Sequence, residues 1–164
     1  MRKKGLTLVE LMLVVAILGI LGALVLPVYQ GHAAEAKNSS AKANLHALRT
    51  QIELYKMQHE GALPGYMSGT PVSGPVAKVQ LEQTTSLNGI PSGSKTTSGS
   101  YIYGPYLLTV PENPLNGESA IAFSTDFGTD LGTAGVGWLY NYVTGQIVLN
   151  SDGTDEDGIA YVDY

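Results

Sequence analysis

Residues 11–28 form one unbroken apolar run, LMLVVAILGILGALVLPV. A run of that length cannot be spread over a water-facing surface, and it is just long enough to cross a bilayer as a helix. Arg2, Lys3 and Lys4 stand before it and no cation follows immediately after it. That asymmetry places the N-terminus in the cytoplasm by the positive-inside rule. Two ordinary readings are a secretory signal cut at Ala34-Glu35-Ala36 and a plain signal anchor. The first is opposed by the length of the run and by how far along Ala34 lies. Neither accounts for Glu10, a carboxylate at the head of the run.

A carboxylate inside a membrane helix costs roughly 2.5–3.5 kcal/mol on insertion scales, so a partner is expected. An interfacial Glu reaching the headgroups is the bland alternative. The neighbours point elsewhere. Arg2-Lys3-Lys4-Gly5-Leu6-Thr7-Leu8-Val9-Glu10-Leu11 resembles the class III signal of type IV pilins and type II secretion pseudopilins. Leu6 stands where Phe or Met is commoner in that family.

The resemblance implies that a prepilin peptidase cuts between Gly5 and Leu6 and methylates the new Leu6 amine. An α-amine has a reference pKa near 8, so it would be a cation at the membrane depth of the Glu10 carboxylate. Leu6 and Glu10 are i and i+4 and can pair within one helix. In a growing filament, Glu10 of an incoming subunit can instead meet the Leu6 amine of a subunit already placed. Two charges neutralised in low dielectric would favour the correct axial stagger.

Pro27 removes a helix hydrogen bond and predicts a kink there. Helix-forming residues resume, and from Ala33 to Glu60 there is no Pro or Gly. Ala41, Leu45, Leu48, Ile52, Tyr55 and His59 are spaced to share one helix face, with Lys42, Arg49, Glu53, Lys56 and Glu60 off it. A helix from Leu6 to about His59 would be roughly 80 Å long. His32, His46 and His59 show no metal-ligand spacing and read as structural or solvated.

Gly61 and Pro64 stop the helix. In the Gly/Pro/Ser/Thr-rich stretch that follows, Val76 to Thr85 reads as a short helix, with a strand as the alternative, and Ser92 to Ser100 reads as mobile. The block Gly104-Pro105-Tyr106-Leu107-Leu108-Thr109-Val110-Pro111-Glu112-Asn113-Pro114-Leu115-Asn116-Gly117 is similar to the head signature of the major pseudopilin. Here Asn113 replaces the usual Asp and Leu115 the usual Trp. Short strands are expected over Ala120–Ser124, Val136–Val143 and Gln146–Asn150, the last two as a hairpin turning at Thr144-Gly145. The row Trp138, Tyr140, Tyr142 reads as packing rather than nucleic-acid stacking, because no cation lies near it.

The expected fold is α+β and pilin-like: a long N-terminal helix on a small C-terminal antiparallel sheet. Its parts are a leader over 1–5, a transmembrane or filament-core helix over 6–29, an amphipathic helix over 30–60, a connector over 61–100 and a β-sheet head over 101–164. A formal charge of −5 gives no support for nucleic-acid binding, and the absence of Cys excludes disulfides and thiolate metal sites. No Lys or Arg follows Lys95. Asp152, Asp155, Glu156 and Asp157 crowd the acidic end on a Gly-containing loop. It is either a solvated end or, by resemblance to the major pseudopilins, a Ca²⁺ loop using Asp152, Asp155 and Asp157. No catalytic motif is present, so an enzyme is not expected. The resemblance implies a homo-oligomeric filament subunit made with a prepilin peptidase, an inner-membrane platform and minor pseudopilins. It would sit single-pass in the bacterial inner membrane with a periplasmic head. A pseudopilus driving protein export is favoured by the 104–117 block. A type IV pilus subunit and a non-polymerising, membrane-anchored calcium-binding domain are the alternatives.

Overall fold

The computed structural model describes residues 7–164, with the side chains of residues 24–31 outside the description. The chain divides into two compact units, Met1–Ala36 and Lys37–Tyr164. Helix α1, Leu8–Gln58, is helical without interruption across Pro27 and Gly31. Gly5, Leu6 and the expected kink at Pro27 lie outside the described residues or side chains.

In the first unit, large apolar side chains from Leu8 to Leu21 are exposed all around the helix. A helix apolar on every face needs a covering that is not water. Among the described residues no helix is long and apolar enough to cross a membrane. The described side chains of this run reach only Ala23, whereas the apolar sequence extends to Val28.

In the second unit, α1 buries the stripe Ala41, Leu45, Leu48, Ile52, Tyr55 and His59. Four of these, Ala41, Leu45, Leu48 and Ile52, join Trp138, Tyr140, Ile147 and Leu149 in one core. The helix ends through Glu60 and Gly61, both at positive φ, with the Gly61 N–H donating to the Lys56 carbonyl. A small hairpin follows, β1 Tyr66–Met67 against β2 Thr70–Pro71. Helix α2, Gly74–Glu82, has Pro in its first turn, where no intrahelical N–H bond is lost. Its first residue must be Gly, because a Cβ on Gly74 would lie 2.4 Å from the Ile121 carbonyl oxygen.

The head sheet contains β3 Ile121–Phe123, β4 Trp138–Tyr140 and β5 Ile147–Leu149. β4 and β5 form the expected hairpin. β3, however, runs parallel to β4, pairing Ile121 with Trp138, so the sheet is mixed rather than purely antiparallel. The physical reason is the length of residues 124–137, which include the short helix α3, Phe127–Asp130. A connection of a dozen or more residues lets the chain return to the starting edge and run parallel. Alternation also fails in β4, where Leu139 is as buried as Trp138 and Tyr140, so both faces are covered.

The stretch 92–100 is tied down rather than loose. Thr84 accepts from the Ser92 N–H and donates its own N–H to the Ser94 carbonyl, Gln83 Oε1 accepts from the Gly93 N–H, and Lys95 Nζ donates to the Leu108 carbonyl.

Candidate functional site

Thr7 precedes α1 and Glu10 is its third helical residue. The Glu10 carboxylate accepts from the Thr7 N–H and the Thr7 hydroxyl, both at 2.8 Å. Thr7 Oγ1 in turn accepts from the Glu10 N–H at 3.3 Å. This reciprocal arrangement is a capping box, which satisfies helix-end donors that have no intrahelical partner. A carboxylate in the first turn also faces the positive end of the helix dipole. Thr7-Leu8-Val9-Glu10 carries the T-x-x-E signal openly.

The carboxylates of the acidic stretch do not converge on one point. Among the described residues no group of three or more His, Asp or Glu could hold a metal ion. Asp152 lines a shallow pocket with Asn116, Glu118, Thr133 and Tyr161. Asp155 turns inward, its side chain 4% exposed. Its Oδ1 accepts from the N–H groups of Asp157 and Ile159, at 3.0 and 2.9 Å. Its Oδ2 accepts from the Tyr164 hydroxyl at 2.8 Å and Lys42 Nζ at 3.3 Å. The Tyr164 hydrogen bond, then those from the backbone and Lys42, hold this carboxyl below the usual carboxylate range. Four donors use the lone pairs that Asp155 would offer to calcium, and the exposed Asp152 and Asp157 do not converge with it as the resemblance implied.

Polar side chains that pattern reading assigns to the surface do much of the head's assembly. Gln80, on α2, is fully buried. Its Oε1 accepts from the Gly65 N–H at 2.6 Å, and its Nε2 donates to the carbonyls of Tyr66 (2.8 Å) and Gly89. Asn113, also fully buried, donates to the Gly137 carbonyl and the Ser151 hydroxyl and accepts from the Leu115 N–H. An Asp at 113 could accept but could not donate, so the amide at this position matches the acceptors around it. Asn116 donates to the carbonyls of Val136 and Asn150, and Asn150 donates to those of Thr133 and Val136. Gly137 passes so close to this turn that a Cβ would lie 2.0 Å from the Glu118 carbonyl oxygen. The 104–117 block is therefore held by side-chain amides and by Trp138 Nε1, which donates to the Pro111 carbonyl at 2.8 Å.

His59 is 2% exposed and stacks on Tyr55 at 3.8 Å. Its Nδ1–H donates to the Tyr55 carbonyl, leaving Nε2 to accept from the Thr85 hydroxyl, each at 2.9 Å. Burial holds the imidazole pKa below its ordinary 6.5, against the opposing pull of the Tyr55 and Ser86 carbonyls. The folded state thus binds this proton less readily than the unfolded chain. Stability is whole above pH 6.5 and is lost as pH falls from there toward the lower folded value. Melting curves from pH 7.5 to 5 should show a loss in wild type that is smaller in His59→Phe, which keeps the stack but has no proton to bind. Equal losses in both proteins would assign the effect to other groups.

The family described as the prokaryotic N-terminal methylation motif matches residues 1–26. The chain is 32% identical over 100 residues to a type IV major pilin protein of Neisseria gonorrhoeae, covering 59% of this chain and 60% of that protein. It is 38% identical over 58 residues to the type II secretion system core protein G of Dickeya chrysanthemi, covering 35% and 38%. A third relative, a type IV major pilin protein of Myxococcus xanthus, is 53% identical over 49 residues, covering 30% and 22%. The matches span 60% or less of these relatives' own lengths. No solved structure matches the chain. The chain is thus similar, over part of its length, to type IV major pilins and to a type II secretion system core protein, and its first 26 residues match the methylation motif.

Proposed function

We propose that this chain is a structural subunit that polymerises into a type II secretion pseudopilus-like filament, anchored before assembly by a single membrane span over residues 6–29. A prepilin peptidase would release the leader between Gly5 and Leu6, and the Leu6 amine would become the partner of Glu10 on a neighbouring subunit. The observation that carries the reading is the Thr7–Glu10 cap at the head of a helix whose large apolar side chains are exposed on every face. Such a helix is suited to lipid first and to copies of itself afterwards. The favoured direction toward secretion rests on the 104–117 block, which the structure holds through Asn113 and Trp138. A type IV pilus is the second reading, supported by major pilins among the relatives.

The test uses Glu10→Leu in the native host. The variant should be cut and membrane-resident at wild-type level, because its head is untouched, while filament yield falls at least tenfold. Normal yield would make Glu10 a helix cap only. The mature wild-type protein should begin at Leu6 by mass, and an intact Met1 would remove the processing step. Deleting the gene should block protein export while leaving surface pili in place. Lost pili with intact export would favour the second reading.

A further inference from the structure

No Lys or Arg follows Lys95 in the sequence, yet Asp155 lies almost wholly enclosed in that acidic stretch. An enclosed carboxylate needs a counter-charge or a full set of donors. The fold supplies both from α1 and from the chain's own last residues. Lys42, 113 residues away in sequence, brings its ammonium to 3.3 Å from Asp155 Oδ2. The same ammonium stands 4.1 Å over the centroid of the Tyr164 ring, a cation–π position. Tyr164 closes the triangle by donating its hydroxyl to Asp155. Two turns further along α1, Arg49 donates to the carbonyls of Tyr164 and Ile147, at 2.8 and 3.2 Å. Positions 42 and 49 therefore grip one segment from one side of the helix.

We propose that Lys42 is the head's built-in counter-ion. Its ammonium occupies the electrostatic place beside Asp155 that a divalent cation would otherwise take, so residues 154–164 close onto α1 without calcium. Geometry supports the exchange of roles. A calcium ion on Asp155 Oδ2 would have to displace the Tyr164 hydroxyl or Lys42, and one held by both oxygens would also displace the Asp157 or Ile159 amide. Asp152, Glu156 and Asp157 stay exposed, where water solvates them. The head closes in this way whichever filament the chain joins.

The experiment uses the full chain in detergent micelles. Wild type should melt at the same temperature in millimolar Ca²⁺ and in chelator. Lys42→Met should lower the hydrogen-exchange protection of the Asp157 and Ile159 amides roughly tenfold, the scale of one charge-assisted hydrogen bond. Lys42→Arg should restore it, because a guanidinium can reach both the carboxylate and the ring. A calcium-dependent rise in the wild-type melting temperature that disappears in Asp155→Asn would overturn the proposal. So would full protection of both amides in Lys42→Met.

Discussion

Trp138→Ala should cost the head about 3–5 kcal/mol, the range for emptying a large aromatic site in a packed core. Trp138 is fully buried, heads the fully buried side chains by volume, and stands in the core beside the α1 stripe and the β5 residues. Truncation opens a cavity between helix and sheet. It also strands the Pro111 carbonyl, whose donor is the indole N–H. Native domains hold only about 5–15 kcal/mol in reserve, so a loss of this size should leave the head partly unfolded at growth temperature. Trp138 is the chain's one tryptophan, so unfolding is best followed through the near-UV signal of the ten tyrosines. Trp138→Phe should recover most of the packing but not the Pro111 bond. A Trp138→Ala protein as stable as wild type would mean that the core can collapse onto the gap.

Gln80→Leu should cost roughly 3 kcal/mol, although it makes the residue more apolar. The substitution deletes one acceptor and two donors at once. It leaves the Gly65 N–H and the Gly89 carbonyl buried and unpaired, together with the half-buried Tyr66 carbonyl. Each stranded buried group costs about 1–3 kcal/mol, against which a buried Leu returns about 1.5–3. Gln80→Glu separates the terms: it keeps the acceptor for Gly65 but sets a second oxygen, with no proton to donate, against the Tyr66 and Gly89 carbonyls. Denaturant midpoints should rank wild type above both variants. A stabilised Gln80→Leu would show that apolar packing outweighs the three bonds here.

Much of the helical part was legible because a helix face is a local code. The spacing of Ala41, Leu45, Leu48, Ile52, Tyr55 and His59 names the buried stripe, and all six are buried. The β4–β5 hairpin was legible for the same reason, with Gly145 at its turn. The direction of β3 was not, because periodicity marks a strand but carries nothing about which way it runs beside its neighbour. The burial of Leu139 was not legible either, because strict alternation assumes that one face of a strand meets water. Nothing in the local pattern marks Gln80, Asn113 or Lys42 as residues that hold the head together, because their partners lie up to 113 residues away. The Thr7–Glu10 cap, by contrast, stood in four consecutive letters.

The head's side-chain amides bond chiefly to main-chain atoms. Gln80 grips the backbone of Gly65, Tyr66 and Gly89, Asn116 that of Val136, Glu118 and Asn150, and Asn150 that of Gly132, Thr133 and Val136. A clamp that reads only peptide groups is indifferent to the side chains those peptides carry. Residues 66–73 and 131–136 can therefore drift in sequence, changing the outward chemistry presented to other molecules, while each loop keeps its path. Variation is confined instead at a few anchoring amides and at Gly74 and Gly137, where the backbone leaves no room for a methyl group. For a protein whose outer face meets the surroundings, that division separates the freedom to diversify from the obligation to fold.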